Sequence, residues 1–214
     1  MKKIVLVLAL VVCFSLTPAV HANQFGDNSL LTIPTADILT PNYLNMSYHL
    51  QDDRDLVSFN YGFNEKVQLG MNFDWDDGVN NDGEIDPSLK VNLLEENSGY
   101  RPELAVGVYD RNYYLVASKT TSVAGIRAHA GFFNYDQLDN EIFIGASKVL
   151  NPVTISTGEN QIKMPVTTLM GEYNDGLNLG AKFGFTEHIS ADIGIVDISD
   201  RSDFTLGVNF KNEF

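Results

Sequence analysis

Beyond Ala22 the chain carries three histidines, His49, His129 and His188, the side chains best suited to acid–base or metal chemistry near neutral pH. No two of them lie at metal-ligand spacing. Polar and apolar residues alternate around His49 and His129, which puts both on the polar faces of strands, while His188 falls in a turn. A hydrolase built on a barrel wall would need a carboxylate or hydroxyl in hydrogen-bond reach of such a histidine. The plainer expectation is a hydrogen-bonding group inside a lumen, so neither catalytic residues nor a cofactor are expected, and the chain reads as a non-enzyme.

A second cluster of chemistry-bearing residues is the acidic run Asp74, Asp76, Asp77, Asn80, Asn81, Asp82, Glu84 and Asp86. These are hard oxygen donors of the kind Ca²⁺ prefers, but their spacing lacks the fixed Gly and final Glu of an EF-hand loop. The run reads first as a solvated, self-repelling loop, with Asp76, Asp77, Asp82, Glu84 and Asp86 as a weak Ca²⁺ candidate set. Cysteine offers nothing further, because the only one, Cys13, lies in the N-terminal leader.

That leader is Met1-Lys2-Lys3, an apolar run from Ile4 to Leu16, and then Thr17 to Ala22, the pattern of a signal peptide cleaved after Ala22. The apolar run is shorter than the roughly 20 residues a spanning helix needs, and Pro18 closes it. A lipoprotein processing site at Cys13 is disfavoured by the bulky Val12 before it. The chain has 14 basic and 28 acidic residues, a net charge of −14. Losing Lys2 and Lys3 makes the mature chain more acidic still, which argues against nucleic-acid binding.

The elements that must position these residues are strands. In Lys66 to Trp75, Val67, Leu69, Met71, Phe73 and Trp75 share one face, while Lys66, Gln68, Gly70, Asn72 and Asp74 share the other. The same split recurs in 43–51, in 123–133 (Ala124 to Phe132 against Arg127, His129 and Gly131) and in 177–185. About twelve such segments are expected, at 43–51, 55–63, 65–75, 86–95, 102–109, 112–120, 123–133, 140–150, 166–174, 177–185, 189–198 and 203–214, most near the roughly 9 to 11 residues of a tilted transmembrane strand. Asp/Asn-rich turns alternate along the chain with a second set of connections, so the two sets belong on opposite rims of an up-and-down barrel. The connection 151–165 is the awkward one, long enough to hide a strand pair that would alter the count.

The fold class expected is therefore all-β: an antiparallel up-and-down transmembrane β-barrel of about 12 strands, within a range of roughly 10 to 14. It divides into a signal peptide (1–22), an N-terminal periplasmic or plug-like segment (23–41) and a barrel (42–214). A soluble barrel with its apolar face turned inward alternates in the same way. Strand length favours the membrane. So do aromatics at strand ends, Phe63, Trp75, Tyr109, Phe133, Tyr173 and Phe185, where interfacial girdles would sit, and the C-terminal strand with Phe204, Leu206, Val208, Phe210 and Phe214 in alternation, broken only at Asn212. That strand resembles the signal recognised by the outer-membrane barrel insertion machinery.

The lumen-facing candidates are Lys66, Gln68, Asn72, Asp74, Arg127, His129, Lys182 and Asp192, with Glu141 also pointing inward. A lumen of this size fits either a narrow pore or a plugged one, and its many glycines leave room for a plug. The segment Gly26-Asp27-Asn28-Ser29-Leu30-Leu31-Thr32-Ile33-Pro34-Thr35-Ala36-Asp37-Ile38-Leu39, with the turns Tyr61 to Glu65 and Phe183 to Glu187, resembles the YjbH-like family of outer-membrane proteins. The resemblance implies a part in exopolysaccharide production or export, and export components as partners. It also suggests that 30–39 tucks into the barrel or caps its periplasmic mouth, with Pro34 keeping it out of the sheet.

The expected protein is thus an outer-membrane accessory to surface or exopolysaccharide export. A small porin-like channel for solutes is the alternative, and a soluble periplasmic binding protein the second. Expected partners are outer-membrane lipid and the insertion machinery.

Overall fold

The computed structural model describes residues 28–51, 54–76, 84–109, 112–134, 141–150, 154–157, 160–163, 165–199 and 202–214. Its first strands are β1 (Tyr43–Gln51), β2 (Arg54–Gly62), β3 (Val67–Asp76), β4 (Glu84–Leu94), β5 (Glu103–Tyr109), β6 (Asn112–Thr120) and β7 (Arg127–Asn134). They are followed by β8 (Glu141–Leu150), β9 (Thr154–Thr157), β10 (Asn160–Lys163), β11 (Val166–Tyr173), β12 (Leu177–Gly184), β13 (Ile189–Val196) and β14 (Asp203–Glu213). Among the described residues, all of these except β9 and β10 form one closed antiparallel barrel of twelve strands, in which each strand pairs with its neighbours and β1 with β14. The 151–165 connection does contain a strand pair. β9 and β10 form a separate two-stranded sheet, so the barrel keeps its twelve strands.

Alternation is realised with the apolar side outward. Met46, Leu69, Met71, Ile144, Leu169, Leu179, Ile193, Ile195, Val208 and Phe210 are exposed on the outer face, while their sequence neighbours Asn45, Ser47, Gln68, Asn72, Asn178, Asp192 and Asn209 are buried. This is the reverse of a soluble barrel, in which the apolar face closes on the interior.

The two turns with matching sequences are also alike in structure. Phe63 and Asn64 N–H groups donate to the Val67 carbonyl (2.9 and 3.3 Å), and Phe185 and Thr186 N–H groups donate to the Ile189 carbonyl (3.0 and 3.2 Å). In each, a side-chain oxygen at the same place accepts a backbone N–H two residues on: Lys66 to Asn64 Oδ1 at 2.8 Å, and His188 to Thr186 Oγ1 at 3.1 Å. Pro87, inside β4, is tolerated because it lies past the end of the β5 pairing, where no ladder donor is needed.

Two sequence expectations need correction. The strand expected over 123–133 begins only at Arg127, because Ala124 and Gly125 both take left-handed φ (53° and 65°) in a turn closed by Ile126 N–H to Val123 O at 3.1 Å. Tyr109 and Phe133 do not form part of an outer girdle. They are buried at 6% and 1% exposure, on the inner face beside Tyr114 and Phe143. Phe63, Tyr173 and Phe185 are exposed as expected, and the Trp75 side chain lies outside the described residues.

Refolded into detergent micelles, residues 23–214 should give a β-rich species whose gel mobility shifts on boiling; a monomer equally stable without detergent would contradict the outward apolar face.

Candidate functional site: a lumen occupied by the N-terminal segment

Residues 28–39 lie inside the barrel, and the exposed Thr40 leads out to β1 at the rim that bears both ends of the β-sheet. The segment folds back on itself, with a bridge between Ser29 and Pro34 and a Leu30 N–H bond to the Ile33 carbonyl at 3.0 Å. Its apolar residues Leu30, Leu31, Ile33 and Ala36 are buried in one cluster with Ala105, Tyr109, Tyr114, Val116, Phe133, Phe143, Met170 and Val196 from the wall. The rings step from Tyr109 to Tyr114 (6.4 Å between centroids), to Phe133 (6.2 Å) and to Phe143 (4.7 Å). Fully burying a Leu or Ile side chain contributes about 1.5–3 kcal/mol, so three of them supply a substantial docking force.

Small wall residues make the space. A Cβ at Gly145 would meet Leu30 Cδ1 at 2.6 Å and Ile33 Cδ1 at 2.7 Å, and one at Gly194 would meet Leu31 at 2.7 Å. At Gly62 a Cβ would lie 2.2 Å from the Thr40 carbonyl oxygen, where the segment leaves the lumen to start β1.

Polar groups fix the register. Glu172, on β11 and 3% exposed, accepts the Leu31 N–H (3.0 Å), the Thr32 N–H (2.7 Å), the Thr32 hydroxyl (2.6 Å) and Asn178 Nδ2 (2.9 Å). The Ala36 N–H donates to Ser118 Oγ at 2.9 Å, and the Leu39 N–H to Gln68 Oε1 at 3.0 Å. Lys90 Nζ donates to the Asn28 and Asp37 carbonyls at 3.2 and 3.1 Å.

Arg127 gathers the charges at this rim. Its guanidinium meets Asp37 Oδ1 at 2.8 Å and Glu103 Oε2 at 2.7 Å, and also bonds Glu96. Burial works to raise the Glu96 carboxyl, but hydrogen bonds from Arg127, the Thr120 N–H and Lys119 outweigh it and hold it at about 2. A carboxyl held below its ordinary 4.5 stabilises the fold fully above that pH, and the contribution drains away as pH falls toward 2.

The sequence-derived lumenal set is distributed as follows. Gln68, Asn72, His129 and Asp192 are buried in the lumen, and Asp74, Arg127 and Lys182 are half-buried on the same face. Lys182 lies opposite Asp192 in the β12–β13 register. Lys66 is instead exposed in the turn before β3, at the rim rather than inside, because the strand starts one residue later. Phe204, Val208 and Phe210 are exposed on the outer face of β14, Leu206 on that face is partly covered, and the exposed Phe214 lies past its end.

Of the Ca²⁺ candidates, Asp77 and Asp82 and the side chains of Asp76 and Glu84 lie outside the described residues. Asp86 is half-buried on the inner face, and no cluster of three metal-ligating side chains occurs among the described residues.

His129 does have hydroxyls in reach, Ser118 Oγ at 2.8 Å from Nδ1 and Ser147 Oγ at 3.3 Å from Nε2. Ser118 is wholly buried under Ala36, so the pair fastens the segment and presents no nucleophile. His49 Nδ1 stands 3.8 Å from Asp192 Oδ2, beyond hydrogen-bond reach. Sequence reasoning missed Glu172 and Ser118, although both share the inner-face parity of residues it did choose.

No family model matches the chain, and no curated protein matches it. Among solved structures it is similar to the KdgM porin in complex with disordered oligogalacturonate, at 12% identity over 78% of this chain and 98% of that one, with a TM-score of 0.48. It is also similar to the N-terminal β-barrel domain of Pseudomonas aeruginosa OprF, at 13% identity over 81% and 100%, with a TM-score of 0.26. Similarity at this level transfers no ligand or activity to this chain.

Replacing Glu172 with Leu orphans the Leu31 and Thr32 N–H groups, at a cost of about 1–3 kcal/mol each. Amide exchange at Leu31 and Thr32 should then accelerate by roughly 10- to 100-fold. Unchanged exchange would remove Glu172 as the anchor.

Proposed function

We propose that this protein is an outer-membrane β-barrel that works as a narrow channel for small polar solutes, with residues 28–39 as its plug. The observation that carries this reading is the two-sidedness of the wall. Exposed Leu, Ile, Met, Val and Phe side chains cover the outer face of the strands, which suits lipid, while amide, hydroxyl and charged side chains line the interior beside the plug. The plug is anchored through Glu172, Ser118, Gln68, Lys90 and Arg127, polar groups whose bonds water can replace when it shifts. On this reading the exposed aromatic and aliphatic residues of β14 serve as the signal for the insertion machinery, and the leader carries the chain to that compartment.

An accessory role in exopolysaccharide export, as the YjbH-like motifs imply, is the second reading. It is favoured by the occupied lumen and by the β9–β10 strand pair, an addition to the twelve strands of the barrel.

The variant Ala36→Cys/Ser118→Cys is designed to join plug to wall where the Ala36 N–H now meets Ser118 Oγ, in a mature chain expected to hold no other cysteine. In planar bilayers its conductance should be small when oxidised and rise several-fold on reduction. If neither state conducts, the channel reading fails and the export reading stands.

A further inference from the structure

Across the barrel from Arg127, six strands away in the closed order, β14, β1 and β2 carry a patch of uncharged polar side chains whose hydrogen-bonding capacity the protein leaves unused. Asn45, Ser47, Ser58, Asn60 and Asn209 are all at most 4% exposed, and each has a buried polar atom without a protein partner. They are contiguous on the inner face, because Asn45 lies opposite Asn60, and Ser47 lies opposite both Ser58 and Asn209. A cavity of about 190 Å³ opens beside them, with Asn45 and Asn209 in its lining along with Thr168, Lys182 and Ser190.

The chemistry of the unused atoms selects the occupant. Asn209 Nδ2 is committed to Asp192 Oδ1 at 2.9 Å, which leaves its Oδ1 as a free acceptor. Asn60 Oδ1 accepts from Gln68 Nε2 at 3.2 Å, which leaves its Nδ2 as a free donor. Asn45 Oδ1 adds another acceptor, and the Ser47 and Ser58 hydroxyls can each donate and accept. A cation would want acceptors alone and an anion donors alone. A mixed set without net charge matches groups that do both, which are hydroxyls. The charges around the cavity, Lys182, Lys211 and Glu187 in its lining and Asp192 opposite Lys182 in the register, are two of each sign and offset one another. The volume equals that of roughly six waters, enough for one small polyol to replace them.

We propose that this patch is a binding site for neutral polyhydroxylated solutes, from glycerol to a single sugar ring. The proposal rests on the channel reading and names the class of solute, but binding can be measured without conductance. The probe is D-glucose with the mature protein in detergent micelles, read by saturation-transfer NMR. A glucose signal is expected that glycerol displaces and sodium acetate does not, and that falls at least five-fold in the Asn45→Leu/Asn209→Leu variant, which removes the two patch residues that line the cavity. No glucose signal, displacement by acetate, or an unchanged signal in a variant that keeps its heat-modifiable band would each overturn the site. Should that variant fail to fold, the competition on the natural chain still decides. Conductance without glucose binding would sink this inference alone, and glucose binding without conductance would sink the channel alone.

Discussion

Because β1 pairs with β14, the sheet has no open edge, and the strand backbones are satisfied within the barrel. That closure frees the outer face from any need for polar partners, so alternate positions can be apolar and exposed. The same period-two rule then delivers every other residue to the interior. Outside and inside are thus two readings of one pattern, and shifting a strand by one residue would exchange them.

An interior set by alternation alone would be polar throughout, and this one is not. On β5 to β8 the inner positions turn apolar, with Tyr109, Tyr114, Val116, Phe133 and Phe143, and this is where Leu30, Leu31 and Ile33 pack. Gly145 and Gly194 supply the depth that larger residues would fill. Polar groups around this apolar patch, Glu172 and Ser118 among them, satisfy backbone N–H groups of a segment that belongs to no strand. The plug is therefore held as a core element would be, by apolar burial with its buried donors paired. Among the described residues of the β14–β1–β2 wall, Leu56 is the one buried apolar side chain, and amides and hydroxyls such as Asn45, Ser47, Ser58, Asn60 and Asn209 take inner positions beside it.

The barrel was legible in the sequence because alternation survives without any knowledge of partners. Strand number, the two rims and the paired turns at 63–66 and 185–188 all follow from it, and so does the inner placement of Gln68, Asn72, His129 and Asp192. What could not be read was which inner positions meet the plug. Phe133 and Tyr109 look like girdle residues because they sit at strand ends, and only the register shows that they share the inner face with Phe143 and Tyr114. The start of β7 was misread because Ala124 continues the apolar series, although its φ of 53° places it in a turn. Alternation puts Glu172 on the inner face but does not give its role, since one acidic residue in a strand looks the same whether it lines water or anchors a backbone.

The most direct measurement is the labelling rate of a cysteine placed at Leu31 by a membrane-impermeant maleimide in the folded, micelle-bound protein, compared with one placed at Phe63. Leu31 is 1% exposed inside the barrel and Phe63 is 60% exposed at the rim. A plug seated in the lumen predicts labelling at position 31 at least two orders of magnitude slower until the barrel is unfolded. Equal rates at the two positions would mean that the segment lies outside, and would contradict the plugged lumen on which the functional reading is built.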